Sequence, residues 1–304
     1  MTQVMSAAEE LRRICGPDRV LLNEPMSAHT SFRIGGPADY FVMPATAEEL
    51  AEVLSFTAGA GLPAFVMGNG TNLLVADTGY RGVIVQLLKN MNDIRVEGNE
   101  ITAQAGALLS AVAARALEAS LTGFEFAAGI PGTLGGACTM NAGAYGGEMK
   151  DVLKSVKVLD REGQIHDIPA EELALGYRTS AIMQGGMIVL EATMTLKEGD
   201  PEAISSYMKD LAGRRRDKQP LDRPSAGSTF KRPEGYFAGK LIQDAGLRGK
   251  TIGGAQVSEK HCGFVINTGH ATAADVMELI DCIRDKVLSD TGVVLTPEVR
   301  FLGF

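Results

Sequence analysis

The 304-residue chain contains no tryptophan, only four histidines and only four cysteines. Cys15, Cys138, Cys262 and Cys282 lie far apart and form no C-x-x-C pair. That spacing excludes the common zinc signatures and fits reduced thiols better than a disulfide framework. Basic residues are also in deficit, 29 against 37 acidic ones, for a net charge of −8, which argues against a general nucleic-acid partner. No apolar run approaches the ~20 residues that a membrane helix requires. Glu9, Glu10, Arg12 and Arg13 occupy the N-terminal stretch where a signal peptide would place its apolar segment. These absences predict a soluble cytoplasmic protein with neither a membrane nor a nucleic-acid partner.

Several catalytic signatures are missing too. "SAGSTFKRP" (225–233) sets Ser228 between a glycine and a threonine, but Phe230 occupies the last glycine position of a G-x-S-x-G elbow. None of His29, His166, His261 and His270 stands in a motif with Ser228, so a serine hydrolase lacks both its elbow and its base. Read on its own, G-S-T is a turn. Neither of the glycine-rich segments 68–74 and 128–147 is a G-x-G-x-x-G, and neither contains the G-K-[ST] of a phosphate loop.

Glycine is in excess, at 36 residues, and follows no collagen-like period. The glycines gather in "GNGTNLL" (68–74), "AGIPGTLGGACTMNAGAYGG" (128–147) and "SFRIGGPADY" (31–40). Successive unshielded N–H groups in such turns make anion-binding concavities, and a dinucleotide pyrophosphate is the natural guest.

Around these loops the periodicity predicts a mixture of strands and helices. Residues 46–60 read as a helix opened by a Thr46/Glu49 capping box, and 62–68 and 82–88 as short strands. A strand over 100–107 precedes a helix over 108–120, a hairpin spans 156–168, and 186–199 is a further strand. Beyond Pro201, helices are expected over 201–217, 236–246 and 272–289. The last of these carries Val276, Leu279, Ile280, Ile283, Val287 and Leu288 on one stripe, and "GVVLTPEVRFLGF" closes the chain as strand. A domain boundary falls near residue 200.

Six motifs in fixed order then resemble one family: "GNGTNLL", "GIPGTLGGACTMNAGAYGG", "GYRTS", "GSTFKRP", "AGLRGKTIGGAQVSEKHCGFVIN" and "PEVRF". They are similar to those of the UDP-N-acetylenolpyruvoylglucosamine reductases, the MurB flavoenzymes of peptidoglycan synthesis, over nearly the whole chain. The resemblance implies an α+β fold. An FAD-binding domain of the vanillyl-alcohol oxidase and p-cresol methylhydroxylase type would span 31–198, after an N-terminal helical segment 1–30. A substrate-binding α+β domain would follow over 199–304. No tyrosine-bearing loop lies between Arg178 and Pro201, which matches the shorter, type II branch.

The implied reaction is NADPH-dependent, FAD-mediated reduction of UDP-N-acetylglucosamine enolpyruvate to UDP-N-acetylmuramate by a monomer. Arg178, Ser228 and Glu298 match the catalytic positions, with Ser228 as proton donor. Non-covalently bound FAD would be held by Arg33, by Gly68, Asn69, Gly70, Thr71 and Asn72, and by Gly129, Ile130, Pro131, Gly132, Thr133, Gly135, Gly136, Ala137 and Asn141. Lys218, Lys231 and His261 match substrate contacts. No metal is expected. Arg232 stands where many relatives have asparagine. The rival within the same fold is another FAD oxidoreductase, of the kind that attaches flavin covalently through histidine or cysteine, with His29 and Cys138 near the loops.

Overall fold

The computed structural model describes residues 6–304; the first five positions of the expected segment 1–30 lie outside the described residues. Helix Ala7–Cys15 opens with a closed capping box, in which Ser6 accepts from the Glu9 N–H and Glu9 reaches back to the Ser6 N–H. Helix Ala47–Gly59 has only half of the box its sequence predicts. Thr46 caps the Glu49 N–H at 3.2 Å, but the Glu49 carboxylate is held by Arg19 and by the Ala45 N–H instead. An arginine offers two charge-assisted bonds where the capping box offers one neutral donor.

Packing divides the chain into two compact units that interleave along the sequence, whereas a sequence-order division draws each as one continuous run. The first holds the described residues up to Leu22, Tyr40–Asn69 and Gly82–Arg214; the second holds Asn23–Asp39, Gly70–Arg81 and Arg215–Phe304. A four-stranded sheet runs in the order Val20–Pro25, Pro37–Val42, Tyr80–Gln86, Ala64–Met67.

The first unit contains an antiparallel five-stranded sheet ordered Ile165–Pro169, Leu153–Leu159, Ile188–Thr195, Glu100–Gln104, Ile94–Glu97. Inward residues such as Val156, Val158, Ala192, Met194, Ile101 and Ala103 alternate with polar neighbours, as a half-buried sheet requires. Helix Leu109–Glu118 buries Leu109, Val112, Ala113 and Ala116 in the same core.

In the second unit, the antiparallel strands Thr251–Ile252, Ala255–Val257 and Val265–Asn267 share a core with helix Ala273–Thr291. Val276, Leu279, Ile280, Ile283 and Val287 form its buried stripe, but Leu288 is 46% exposed. Being next to Val287, it lies about 100° farther round the helix, off the stripe. The chain's end is less regular than its β-rich sequence predicts: only Arg300–Leu302 is strand, paired in parallel with Leu73–Val75. Pro297 supplies no N–H to extend a ladder, so residues 295–298 pair only at isolated points. Among the described residues, no helix is long and apolar enough to cross a membrane, and no cluster of His, Cys, Asp and Glu could hold a metal ion.

Candidate active site

In the first unit the glycine-rich segments are built against one another. Strand Ala64–Met67 ends at Gly68, where an added Cβ would sit 2.0 Å from Thr133 Oγ1. The next residue, Asn69, donates its Nδ2–H to the Pro131 carbonyl at 2.8 Å. The second segment is held from behind: the Gly132 carbonyl accepts from Leu109, and Leu134 and Gly135 donate to Ala107 and Ala105 at 2.8 Å. A Cβ at Gly135 would lie 2.9 Å from that of Ala105, so only glycine lets the turn approach so closely. The Gly132 and Thr133 carbonyls accept from the Leu109 and Ala137 N–H groups, while the N–H groups of Asn69, Gly132 and Thr133 make no hydrogen bond among the described residues.

Gln86 is a further polar group without a partner, and sequence reasoning missed it. Val83 and Val85 join the core, so alternation sends Gln86 to the opposite face of its strand, paired in register with Met67 just before Gly68. It is 2% exposed, and its buried Oε1 has no hydrogen-bond partner among the described residues. The signal available was a lone amide in the otherwise apolar run "GVIVQLL".

Arg178 lies in a tight turn where Gly176 and Thr179 exchange backbone bonds at 3.1 and 3.3 Å. Its φ of +56° is left-handed, unusual for a side chain this large. The half-buried guanidinium lies over the Tyr177 ring, 5.1 Å from its centroid. Asn141 is 1% exposed and its side chain is committed to protein groups. Its Nδ2 donates to Glu148 at 2.7 Å and to the Gly176 carbonyl at 3.2 Å, and its Oδ1 accepts from the Lys150 N–H at 2.9 Å. Cys138 is fully buried, and burial pushes its thiol up to about 12, which disfavours the thiolate that covalent flavin attachment would need.

The second unit brings Ser228 and Glu298 onto one framework. Next to Ser228 in the chain sits the buried Thr229, whose N–H donates to Gly263 and whose carbonyl accepts from the Glu298 N–H, each at 2.8 Å. The Thr229 hydroxyl accepts from the Val265 N–H at 3.0 Å. Asn72 completes the clamp, its Nδ2 donating to the Glu298 carbonyl at 3.2 Å and its own carbonyl accepting from Arg300 at 3.0 Å. Ser228 is the exposed residue next to this knot, and Glu298 is half-buried within it. Gly70 and Thr71 stand on the same segment as Asn72, and none of these three N–H groups is bonded among the described residues. Ser31 donates to the Gly70 carbonyl at 3.1 Å, which ties in the turn bearing the exposed Arg33, itself at φ +55°.

The other sequence-predicted residues of this unit are placed as follows. Lys231 donates its N–H to Thr296 at 2.9 Å and is half-buried, whereas Lys218 is exposed at the end of helix Pro201–Lys218. His261 accepts the Gly263 N–H on Nδ1 at 3.0 Å and packs edge-on against Phe264. That bond assigns the proton to Nε2, and burial holds the ring's pKa below its ordinary value of 6.5. Arg232 lies over Phe237, 4.0 Å from the centroid. His29 is bonded to Glu24 at 2.8 Å.

Closely approached glycine turns, unbonded backbone donors and a buried amide oxygen without a donor fit a bound dinucleotide. The FAD-binding domain family matches residues 38–169, and the chain is thereby of the FAD-binding oxidoreductase class. The C-terminal domain family of UDP-N-acetylenolpyruvoylglucosamine reductase matches residues 219–302. The reductase of that name from Lachnoclostridium phytofermentans is 56% identical over 299 residues, covering 97% of this chain and 96% of the relative. That of Clostridioides difficile is 52% identical, covering 96% of each. The crystal structure of the Thermus caldophilus reductase (MurB) superimposes with a TM-score of 0.79 at 35% identity, covering 93% of this chain and 98% of that one. The chain belongs to the UDP-N-acetylenolpyruvoylglucosamine reductase family.

Proposed function

We propose that this chain reduces UDP-N-acetylglucosamine enolpyruvate to UDP-N-acetylmuramate through Arg178, Ser228 and Glu298. Membership of the reductase family carries the reaction, and it is an FAD- and NADPH-dependent step of peptidoglycan synthesis. The observation that carries the catalytic assignment is the Thr229 framework, which fixes the backbones of Ser228 and Glu298 to each other.

Bound FAD supplies the hydride that NADPH provides and the substrate's vinyl carbon receives. The Asn69, Gly132 and Thr133 N–H groups, with Gly70, Thr71 and Asn72, would hold its anionic portion, and Gln86 Oε1 would accept from one of its N–H or O–H groups. Gly68, Gly129, Ile130, Pro131, Gly135, Gly136 and Ala137 shape the turns, and Arg33 adds a positive charge. Arg178 grips the substrate carboxylate, and its attraction grows as negative charge spreads there, so it favours the transition state over the ground state.

Ser228 donates the proton to the adjacent carbon. A hydroxyl is a weak acid, but carbon bearing negative charge beside a carboxylate is a strong base, and position matters more than acidity. Glu298 takes the third catalytic position: a protonated carboxyl there donates to the developing enolate, whereas a carboxylate positions a water. Lys231 and Lys218 attract the diphosphate, and the Nε2–H of His261 contacts a polar substrate group.

Residues 31–198 form the FAD-binding part and 199–304 the substrate-binding part. The enzyme is a cytoplasmic monomer of the type II branch. The passage from the Arg178 turn through helix Ala181–Gly185 into strand Ile188–Thr195 supports that branch, since it leaves no room for an inserted tyrosine loop.

The test is NADPH oxidation by the FAD-loaded protein with and without UDP-N-acetylglucosamine enolpyruvate. Oxidation only with that substrate, giving UDP-N-acetylmuramate, is the expected result; no stimulation by it would overturn the reading.

A further inference from the structure

We infer that Asn141 is a positioning residue for Arg178 rather than a contact to the cofactor; the inference rests on the catalytic role proposed for Arg178. An amide side chain offers two N–H donors and one carbonyl acceptor. At Asn141 both kinds of group are engaged within the first unit: Nδ2 with Glu148 and with the Gly176 carbonyl, Oδ1 with the Lys150 N–H. At 1% exposure it has neither a spare donor nor a face open to a ligand.

What it holds is the turn that aims Arg178. Left-handed backbone brings Cβ against the following carbonyl oxygen and is sterically unfavourable, and Arg178 adopts it at φ +56°. Such a conformation persists only where its surroundings enforce it. The enforcement comes from both sides. Before Arg178, Asn141 grips the Gly176 carbonyl. After it, the fully buried Ser180 donates its hydroxyl to the Thr139 carbonyl at 2.6 Å. Both anchors belong to the short stretch Thr139–Asn141, the continuation of the glycine-rich segment. Asn141 itself sits at φ +45°, which asparagine tolerates better than most residues. The segment that resembles a cofactor loop thus ends as a bracket for the arginine turn.

The experiment separates the two half-reactions of the FAD-loaded enzyme in Asn141→Asp, which keeps the acceptor for Lys150 but sets a carboxylate against Glu148 and the Gly176 carbonyl. Reduction of the flavin by NADPH and the FAD dissociation constant are expected within about 3-fold of wild type. Reoxidation by UDP-N-acetylglucosamine enolpyruvate is expected to slow by about 10- to 100-fold, the scale of an ångström-sized misplacement of a catalytic group.

The decisive arm is a double-mutant cycle on reoxidation. In an Arg178→Ala background the same substitution should cost less than about 3-fold, because contacts acting through one another are non-additive. Additive effects, or weakened FAD binding with normal reoxidation of the loaded enzyme, would overturn the inference. A wild-type reoxidation rate in Arg178→Ala alone would instead overturn the role of Arg178. Should Asn141→Asp fail to fold, Ser180→Ala, which cuts the turn's other anchor, carries the same cycle, and additivity there counts equally against the bracket.

Discussion

The Glu298 N–H donates to the Thr229 carbonyl at 2.8 Å, so the residue after Ser228 and the residue before Val299 share one backbone hydrogen bond. Thr229 is also bonded through its N–H to Gly263 and through its hydroxyl to Val265. Three separate stretches of chain therefore fix where Ser228 and Glu298 stand.

Thr229→Val is isosteric but leaves the Val265 N–H unsatisfied in a buried site, at a cost of about 1–3 kcal/mol. Thr229→Ser keeps the acceptor and should recover most of that loss. Urea unfolding of the two variants gives the comparison; equal stabilities would mean that the hydroxyl bond contributes nothing.

Ser228→Ala removes the proposed proton donor without touching the framework, since its neighbours carry the hydrogen bonds. FAD should stay bound and reducible by NADPH, while product formation falls by about 100-fold or more, the usual range for general acid catalysis. Stopped-flow absorbance at the flavin band separates the two steps. Normal turnover would remove Ser228 from the mechanism.

Gln86→Met replaces a buried amide that lacks a partner with an apolar side chain of similar length. Relief of the unsatisfied oxygen should stabilise the apoprotein by about 1–3 kcal/mol, while FAD, which loses an acceptor, binds more weakly. Calorimetry of the apoprotein and flavin titration read the opposite signs. A gain in both stability and affinity would show that Gln86 serves no ligand.

Gly68→Ala should weaken FAD binding at least about 10-fold, because its Cβ overlaps Thr133 Oγ1, and Thr133→Ala should restore part of the loss. Fluorescence titration of FAD into the single and double variants decides whether this contact or some other feature of the turn is responsible.

Burial lowers the pKa of His261 below 6.5 in the folded state, so the unfolded chain binds a proton first as pH falls. The contribution of neutral His261 to stability is present above pH 6.5 and is lost as pH drops through the folded value. His261→Asn places an oxygen where Nδ1 accepts the Gly263 N–H and does not titrate. The thermal midpoint of wild type should therefore fall relative to that of the variant below pH 6.5. Parallel pH profiles would contradict a buried neutral histidine.

What was legible in the sequence was local. Glycine turns announced themselves as turns, and the helix Ala273–Thr291 showed its stripe except at Leu288, where an apolar residue faces solvent without violating any rule. The order of motifs carried the family because each motif is a short run. What was not legible depends on distant pairing. Nothing in "GSTFKRP" tells that Thr229 meets residues 263, 265 and 298, and nothing near Asn141 tells that its amide reaches Gly176. Glu49 illustrates the same limit on a smaller scale: its local partner was Thr46, and a guanidinium thirty positions away displaced it.

The parallel pairing of Leu73–Val75 with Arg300–Leu302 joins one strand to another synthesised much later. At about 5–20 residues per second, a ribosome takes on the order of ten seconds or more to reach that partner. Throughout that interval the apolar edge of Leu73–Val75 waits unpaired in the nascent chain. The second unit can close only after Leu302 has been added to the chain. A message truncated shortly before codon 300 would release a polypeptide carrying every glycine loop yet with an open strand edge, a target for chaperones and proteases rather than a partial enzyme.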